Sequence, residues 1–388
     1  METAVILGDV TYSDANTPKL DDISPRYGSE LGGTTVTLTG SNLLGSADAT
    51  VLFDDRECIV ESNTDTEIVC VTSDKPWVGD EPRVSINIEG LGNVATQGLV
   101  YRYVSLYSDT ETWGGDIPPI EGESIHIPKG MHLLIDIDES PKLNAIIVEG
   151  SLIFAPHDDP THLRTFDAHY IMVMGGYMEV GTEEFPYTSK CRITMHSDRF
   201  DPYLPIYGNK VIGVRFGNLE MHGVARPVVW TRLAETAEAG AQSITLIEEV
   251  DWVVGEEIVI AGTGWYNDDH ETRIITAVDG NTFSFEEPLA FLHLSVAPVY
   301  DGVEIPMRAE VGLLTRNVVY RGDPIVSPAD LYGAHIMIHS PGDESSVGRI
   351  EYVELKDVGQ AFKLGRYPLH YHMIGTVHKS YVRGNSIH

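Results

Sequence analysis

Between Trp113 and Gly223 short apolar runs stop at a glycine again and again, and this recurrence limits the chain more than any other feature. Ser124-Ile-His-Ile-Pro128 precedes Gly130, Ala145-Ile-Ile-Val148 precedes Gly150, and Tyr170-Ile-Met-Val-Met174 precedes Gly175-Gly176. Arg192-Ile-Thr-Met195, Lys210-Val-Ile-Gly-Val214 before Gly217, and Leu219 to His222 before Gly223 continue the series. Runs this short and this rich in Ile, Val and Met read as strands rather than helices. Glycine at each end allows the chain to reverse, often through positive φ, where a β-carbon is penalised. The expected class is all-β.

The same reading extends to both sides. From Pro18 to about Tyr103 the strand Thr35-Val-Thr-Leu-Thr39 alternates Val36 and Leu38 with threonines, as a half-buried antiparallel strand does. Val51-Leu-Phe53, Cys58-Ile-Val60, Glu67 to Val71 and Arg83 to Ile88 follow, a strand count and spacing that suit an immunoglobulin-like sandwich. Cys58 and Cys70 close two strand-like ends around a polar turn, which suits a disulfide worth roughly 3 kcal/mol. Cys191 is left over and expected to be buried, and three thiols without a Cys-x-x-Cys pair do not make a zinc site. Beyond Trp230 lies a smaller β module, including Ala241 to Ile247, Asp251 to Gly255, Glu257 to Ile260, Glu271 to Ile275 and Thr282 to Phe285. Ala234 to Ala241 is its only stretch with helix propensity. From Ala309 onward, strands recurring at intervals near twenty describe a right-handed parallel β-helix.

These landmarks carry a family resemblance. Asp22-Ile-Ser-Pro-Arg-Tyr-Gly28, Gly32-Gly-Thr34 and Gly40-Ser-Asn-Leu43 resemble the IPT/TIG family. Trp113-Gly-Gly-Asp116, Gly122 to Gly130, Val148 to Phe154, Gly175 to Glu184 and Glu220-Met-His-Gly223 resemble the eight-glycine (G8) domain. Gly365-Arg-Tyr-Pro-Leu-His-Tyr-His-Met373 is similar to the β-helix signature shared with the cell-surface hyaluronidase family. In this order they resemble the fibrocystin and fibrocystin-L family. The division expected is 1–18 as the tail of a preceding IPT copy, 19–104 an IPT domain, 105–229 the eight-glycine domain, 230–300 the small β module and 301–388 the start of the β-helix. The tail rests on Gly8-Asp-Val-Thr-Tyr12, which echoes Gly98 to Tyr103. On this reading both ends are cut from a longer extracellular chain.

Charge narrows the partners. With 26 Lys and Arg against 58 Asp and Glu, the net charge is −32, which argues against a nucleic-acid backbone and against an anionic membrane surface. No apolar run approaches the ~20 residues that cross a bilayer, and Met1 to Asp9 lacks the pattern of a signal peptide. Membrane attachment therefore falls to a segment outside this sequence.

Candidate chemistry concentrates in the last strands. Alternation puts His335, Met337 and His339 on one face and Ile336 and Ile338 on the other; His370 and His372 likewise face away from Leu369, Tyr371 and Met373. With the apolar sets inward, four imidazoles would line an outer wall beside Arg366, whose planar fork suits a uronate carboxylate. That wall would bind a glycan or an extracellular protein. His370 and His372, or the carboxylates of Asp268 and Asp269, are the weak metal candidates, for Ca²⁺ or another divalent ion. Asp136-Ile-Asp138 and His157-Asp-Asp159 are further acidic stretches, and no set has the regular spacing of a calcium loop. The function expected is a non-enzymatic, receptor-like extracellular scaffold; by resemblance to the fibrocystins it would serve a ciliary or stereociliary coat. The alternatives are a hyaluronan-type depolymerase, for which Glu351, Glu354, Asp357 and Lys363 are near in sequence but form no pair that the sequence places at working distance, and a plain architectural spacer.

Overall fold

A computed structural model describes residues 17–44, 49–75, 82–96, 98–266 and 268–388. Gly8 to Tyr12, and with it nearly all of the 1–18 tail, lies outside the described residues. Strands make up the architecture, and the one α-helix among the described residues is Val326–Asp330. The chain divides into two compact units, residues 1–116 with 130–134, and residues 117–129 with 135–388.

In the first unit seven strands hydrogen-bond antiparallel in the order Lys19–Ser24, Thr35–Ser41, Glu67–Thr72, Arg56–Asn63, Ala49–Phe53, Val84–Ile88, Gly92–Asn93. Val36 and Leu38 are fully buried while Thr35 and Thr39 face water, so the alternation sets which side is core. Phe53 stacks on Tyr101 at 4.7 Å, with Tyr103 edge-on to both, at the centre of an immunoglobulin-like sandwich. Cys58 and Cys70, both fully buried on adjacent strands, form the disulfide with Cα atoms 5.4 Å apart.

The second unit is a parallel β-helix of three columns. One column stacks Ile125–Ile127, Glu139–Val148, the second half of Leu163–Met174, Val211–Arg215, His335–His339 and Leu369–His372. Another stacks the first half of Leu163–Met174, then Lys190–Met195, Val318–Gly322, Val353–Lys356 and Ser386–Ile387. The third stacks Ser151–Phe154, Tyr177–Val180, Asn218–His222, Val347–Glu351 and Tyr381–Arg383. A coil therefore closes after three strands, and stacked partners lie further apart than the expected spacing near twenty: Ile336 pairs with Leu369, 33 residues on, and Val318 with Val353, 35 residues on. Parallel stacking is already in place at Ile125 and continues to Ile387.

The recurring glycines mark the corners between columns. A Cβ on Gly176 would lie 2.5 Å from the Gly150 carbonyl oxygen, and one on Gly217 would lie 2.5 Å from that of Gly176. At these two positions glycine serves the close approach of successive coils, not a positive φ.

The β-helix is interrupted between Gly223 and Asn317 by a six-stranded antiparallel sheet with its own core around Trp252, Phe283 and Phe285. Ala234 to Ala241 forms no helix; Ala237 is held in a bridge to His293. Asp251 to Gly255 is a turn, not the strand its residues suggest. Trp252 is buried there and donates Nε1 to the Val228 carbonyl at 2.8 Å, while Val253 and Val254 face solvent.

Candidate functional site

The register of the first column decides what the histidine wall is. Val211 to Arg215 pairs with His335 to His339, and Ile336 to His339 pairs with Leu369 to His372. Ile336 and Ile338 are fully buried, and Tyr371 donates its hydroxyl to the Gly348 carbonyl at 2.8 Å across the interior. The imidazoles thus share the outer face, Met337 lies beside His370, and Arg215, His339 and His372 form one transverse row.

That face is half roofed. Residues 197–210 leave the Lys190–Met195 strand and cross the outside of the column before rejoining it at Val211. Leu204 and Tyr207 pack there on Ile147, Met172, Val211 and Met337. Gly213 leaves the room: a Cβ on it would lie 2.6 Å from Met172 Sδ and 2.8 Å from the Tyr207 ring. Asn209, fully buried, fixes the crossing by donating Nδ2 to the Asp198 and Asp201 carbonyls at 2.5 and 3.1 Å, and its Oδ1 accepts from the Tyr332 hydroxyl.

Two of the four imidazoles consequently lie under cover, which corrects the expectation of an exposed row. His335 is fully buried and donates Nε2 to the Tyr207 carbonyl at 2.9 Å, since a carbonyl only accepts. Its Nδ1 faces the Gln360 amide at 3.4 Å, and burial holds its pKa down at about 3. His339, 8% exposed, meets the Tyr207 hydroxyl at 3.0 Å; burial first, then His372 and Arg215, lowers its pKa. One tyrosine thus engages both ends of His335–His339.

His370 and His372 remain half-buried at the edge of the cover. His370 donates Nδ1 to the Gly365 carbonyl at 2.8 Å. Its ring lies 5.0 Å from His372 and 5.2 Å from Tyr367, and His372 lies 5.2 Å from His339. The His372 pKa is lowered by burial and then by His370 and Arg366. Arg366 runs against Gly208, where a Cβ would lie 2.6 Å from its Nε. No carboxylate among the described residues comes within ion-pair distance of Arg215, Arg366, His339, His370 or His372. In a chain of net charge −32, this is a strip where donors outnumber acceptors.

The other candidates are absorbed by structure. Asp138 pairs with His162 at 2.8 Å, outside any strand; His162 stacks on His157 at 4.0 Å, and Asp159 caps Thr161. Asp269 is packed against Gly264, beside Asp268, in an exposed turn. Among the described residues no three His, Cys, Asp or Glu side chains come together to hold a metal ion, so neither His370 and His372 nor Asp268 and Asp269 acquire a third ligand. Glu351 pairs with Arg383 at 2.8 Å, Glu354 Oε2 accepts from the Arg316 amide at 3.0 Å, Asp357 pairs with Arg321, and Lys363 donates to the Tyr203 hydroxyl. Cys191 is buried and its thiol is pushed up to about 12. Tyr207, Arg215 and Gln360 carry no local signal. They reach the strip through loop crossings and parallel pairing across more than a hundred residues.

Three family models match the chain: the IPT/TIG domain over residues 18–103, the G8 domain over 112–234, and the CEMIP β-helix over 331–388. Mouse fibrocystin-L is 37% identical over 97% of the chain and human fibrocystin-L 36% over the same share. Dog fibrocystin is 26% identical over 87%. The chain spans 10% of the length of either fibrocystin-L, and 9% of the dog protein. The domain types, their order and the near-complete alignment agree: the chain belongs to the fibrocystin and fibrocystin-L family.

Proposed function

We propose that this chain is an extracellular, receptor-like scaffold that recognises a glycan along the strip formed by Arg215, His339, His372, His370 and Arg366. The observation that carries the reading is the strip itself: two arginines and the buried or half-buried imidazoles of His339, His370 and His372 without a carboxylate neighbour among the described residues, on a chain otherwise strongly acidic. The imidazole ring nitrogens offer hydrogen-bonding positions and Arg366 a planar fork, a set suited to hydroxyl and carboxylate groups of a saccharide. No asparagine of the chain heads an Asn-X-Ser/Thr triplet, so the wall carries no N-linked glycan of its own. A place in a ciliary or stereociliary coat follows from the family resemblance.

A glycan array with the purified chain, repeated with His370→Ala and His372→Ala, tests the reading. Binding by the parent that both variants lose supports it; no binding, or equal binding by all three, sinks it. Among the described residues the depolymerase reading finds no pair of open carboxylates near the strip, because Glu351, Glu354 and Asp357 are each committed to a cation or an amide. Shortened hyaluronan chains after incubation with and without Ca²⁺ would restore it.

A further inference from the structure

A cavity of about 390 Å³ opens where the inserted sheet leaves and rejoins the β-helix, within the ~300–1,000 Å³ range of small-molecule sites. Lys190, Arg316 and Asn317 line it from the β-helix, and Arg226 and Glu256 from the insert; no residue of the strip takes part. Arg226 is fully engaged. Its Nε meets Asp251 Oδ2 at 2.7 Å, its Nη1 meets Glu256 Oε1 at 2.6 Å, and its Nη2 donates to Glu256 Oε2 and to the Asp251 carbonyl. Both Glu256 oxygens are thereby occupied, and Oε2 also accepts from the Val253 amide at 2.8 Å. The other two cations are not offset. Arg316 is 5% exposed; its Nε donates to the Gly384 carbonyl at 3.0 Å, and its Nη1 to the Leu313 and Thr315 carbonyls at 2.9 and 2.8 Å. Among the described residues its Nη2 has no hydrogen-bond partner and is not sealed from solvent, and no carboxylate lies within ion-pair distance of its guanidinium. Burial, then the charge of Arg226, lowers the Arg316 pKa to about 10, so the group is still charged at neutral pH. Lys190, exposed at the start of Lys190–Met195, has no carboxylate partner among the described residues either.

Two unpaired cations in one concavity, on a chain of net charge −32, favour an anion there. Its shape follows from the hydrogens that Arg316 still has free. A planar carboxylate is gripped by two parallel N–H groups on two different guanidinium nitrogens. Nε commits its single hydrogen, and Nη1 both of its hydrogens, to main-chain carbonyls, so Nη2 alone is left and that grip is lost. An oxyanion whose oxygens point in several directions can instead offer one oxygen to Nη2 and another to the Lys190 ammonium. Val224, Val253 and Val254 are exposed around the same cavity, an apolar rim that suits the carbon body of an ester. We propose that the cavity between Lys190 and Arg316 binds a tetrahedral oxyanion, a sulfate or phosphate group. The site is separate from the histidine strip and does not rest on it.

The test is calorimetric titration of the purified chain with the sulfate and phosphate esters of glucose at its primary hydroxyl, with inorganic sulfate and inorganic phosphate, and with glucuronate as the planar control. At least one ester is expected to bind with millimolar Kd, and more tightly than its free ion because the rim meets its carbon body. Equal affinity for the free ion would support the oxyanion site and assign the ion itself as the source. Lys190→Met, at an exposed position, should weaken binding about tenfold, as should Val254→Glu, which sets a carboxylate at the rim. Arg316 is left intact in these variants, since its bonds to three carbonyls hold the corner together. Lys129→Met removes the same charge at an exposed position outside the cavity and should leave the affinity unchanged. Absence of binding by both esters and both ions, equally tight binding of glucuronate, or equal affinity of the Lys190→Met and Lys129→Met proteins overturns the proposal.

Discussion

His335 provides the sharpest test of how the outer wall is covered. Its folded pKa is about 3 against an ordinary value of 6.5, so the unfolded chain binds the proton more tightly. Stability from this group is therefore fully present above pH 6.5 and is lost as pH falls toward 3. At pH 5 the unfolded imidazole is protonated by a factor of about 30 and the folded one almost not at all, which removes about 2 kcal/mol relative to pH 7.5. His335→Gln keeps a donor for the Tyr207 carbonyl and abolishes the titration. Urea unfolding of both proteins at pH 7.5, 6 and 5, followed by near-ultraviolet circular dichroism, measures the difference. The variant should be somewhat weaker at pH 7.5 yet lose about 2 kcal/mol less on going to pH 5. Carboxylates such as Glu271, with a pKa lowered to about 2, release their contribution only as pH falls below 4.5, so they do not confuse this window. Equal acid sensitivity in both proteins would show that His335 is not enclosed by Tyr207, and the description of the roof would fail with it.

Three further outcomes are expected. Gly213→Ala pushes a methyl group against Met172 and Tyr207 and should cost about 1–3 kcal/mol, with faster amide hydrogen exchange in residues 197–210. Glu271→Gln withdraws the charge that meets Arg273, the His293 ring and the amides of Ala290 and Phe291; a loss of about 3–5 kcal/mol should appear as lost exchange protection in Glu257–Ile260 and Thr282–Phe285. Replacing Cys58 and Cys70 together by alanine should lower the sandwich transition by about 2–4 kcal/mol and leave the unfolding of the β-helix where it was.

Much of this was legible because a strand's two faces are set by local alternation. Val36 and Leu38, or Ile336 and Ile338, declare their core side within a few residues, and the packing obeys. Likewise Cys58 and Cys70 declare a hairpin. What covers the opposite face is not local. His335 and His339 read as outward, and they are; the Tyr207 that encloses them lies 128 and 132 residues away. Asp251 to Gly255 misled for a related reason. Trp252 is drawn into the core of the insert from a turn, so its burial, not a strand, accounts for the apolar character there.

The arrangement of the wall also explains why its chemistry is confined to one edge. A parallel column repeats its outer face coil after coil, so an apolar row such as Ile147, Met172, Gly213 and Met337 must be covered or left in water. The crossing of residues 197–210 covers it, with Tyr207 filling the gap above Gly213. In the next coil the position beside Met337 is His370, and the apolar row ends. The side chain changes from one that must be buried to one that tolerates water at the place where the cover stops. Arg366 meets the edge of that cover at Gly208. A larger residue at Gly208 would displace the Arg366 guanidinium and should reduce array binding. Undiminished array binding by a Gly208→Ala protein would show that Arg366 takes no part in the strip.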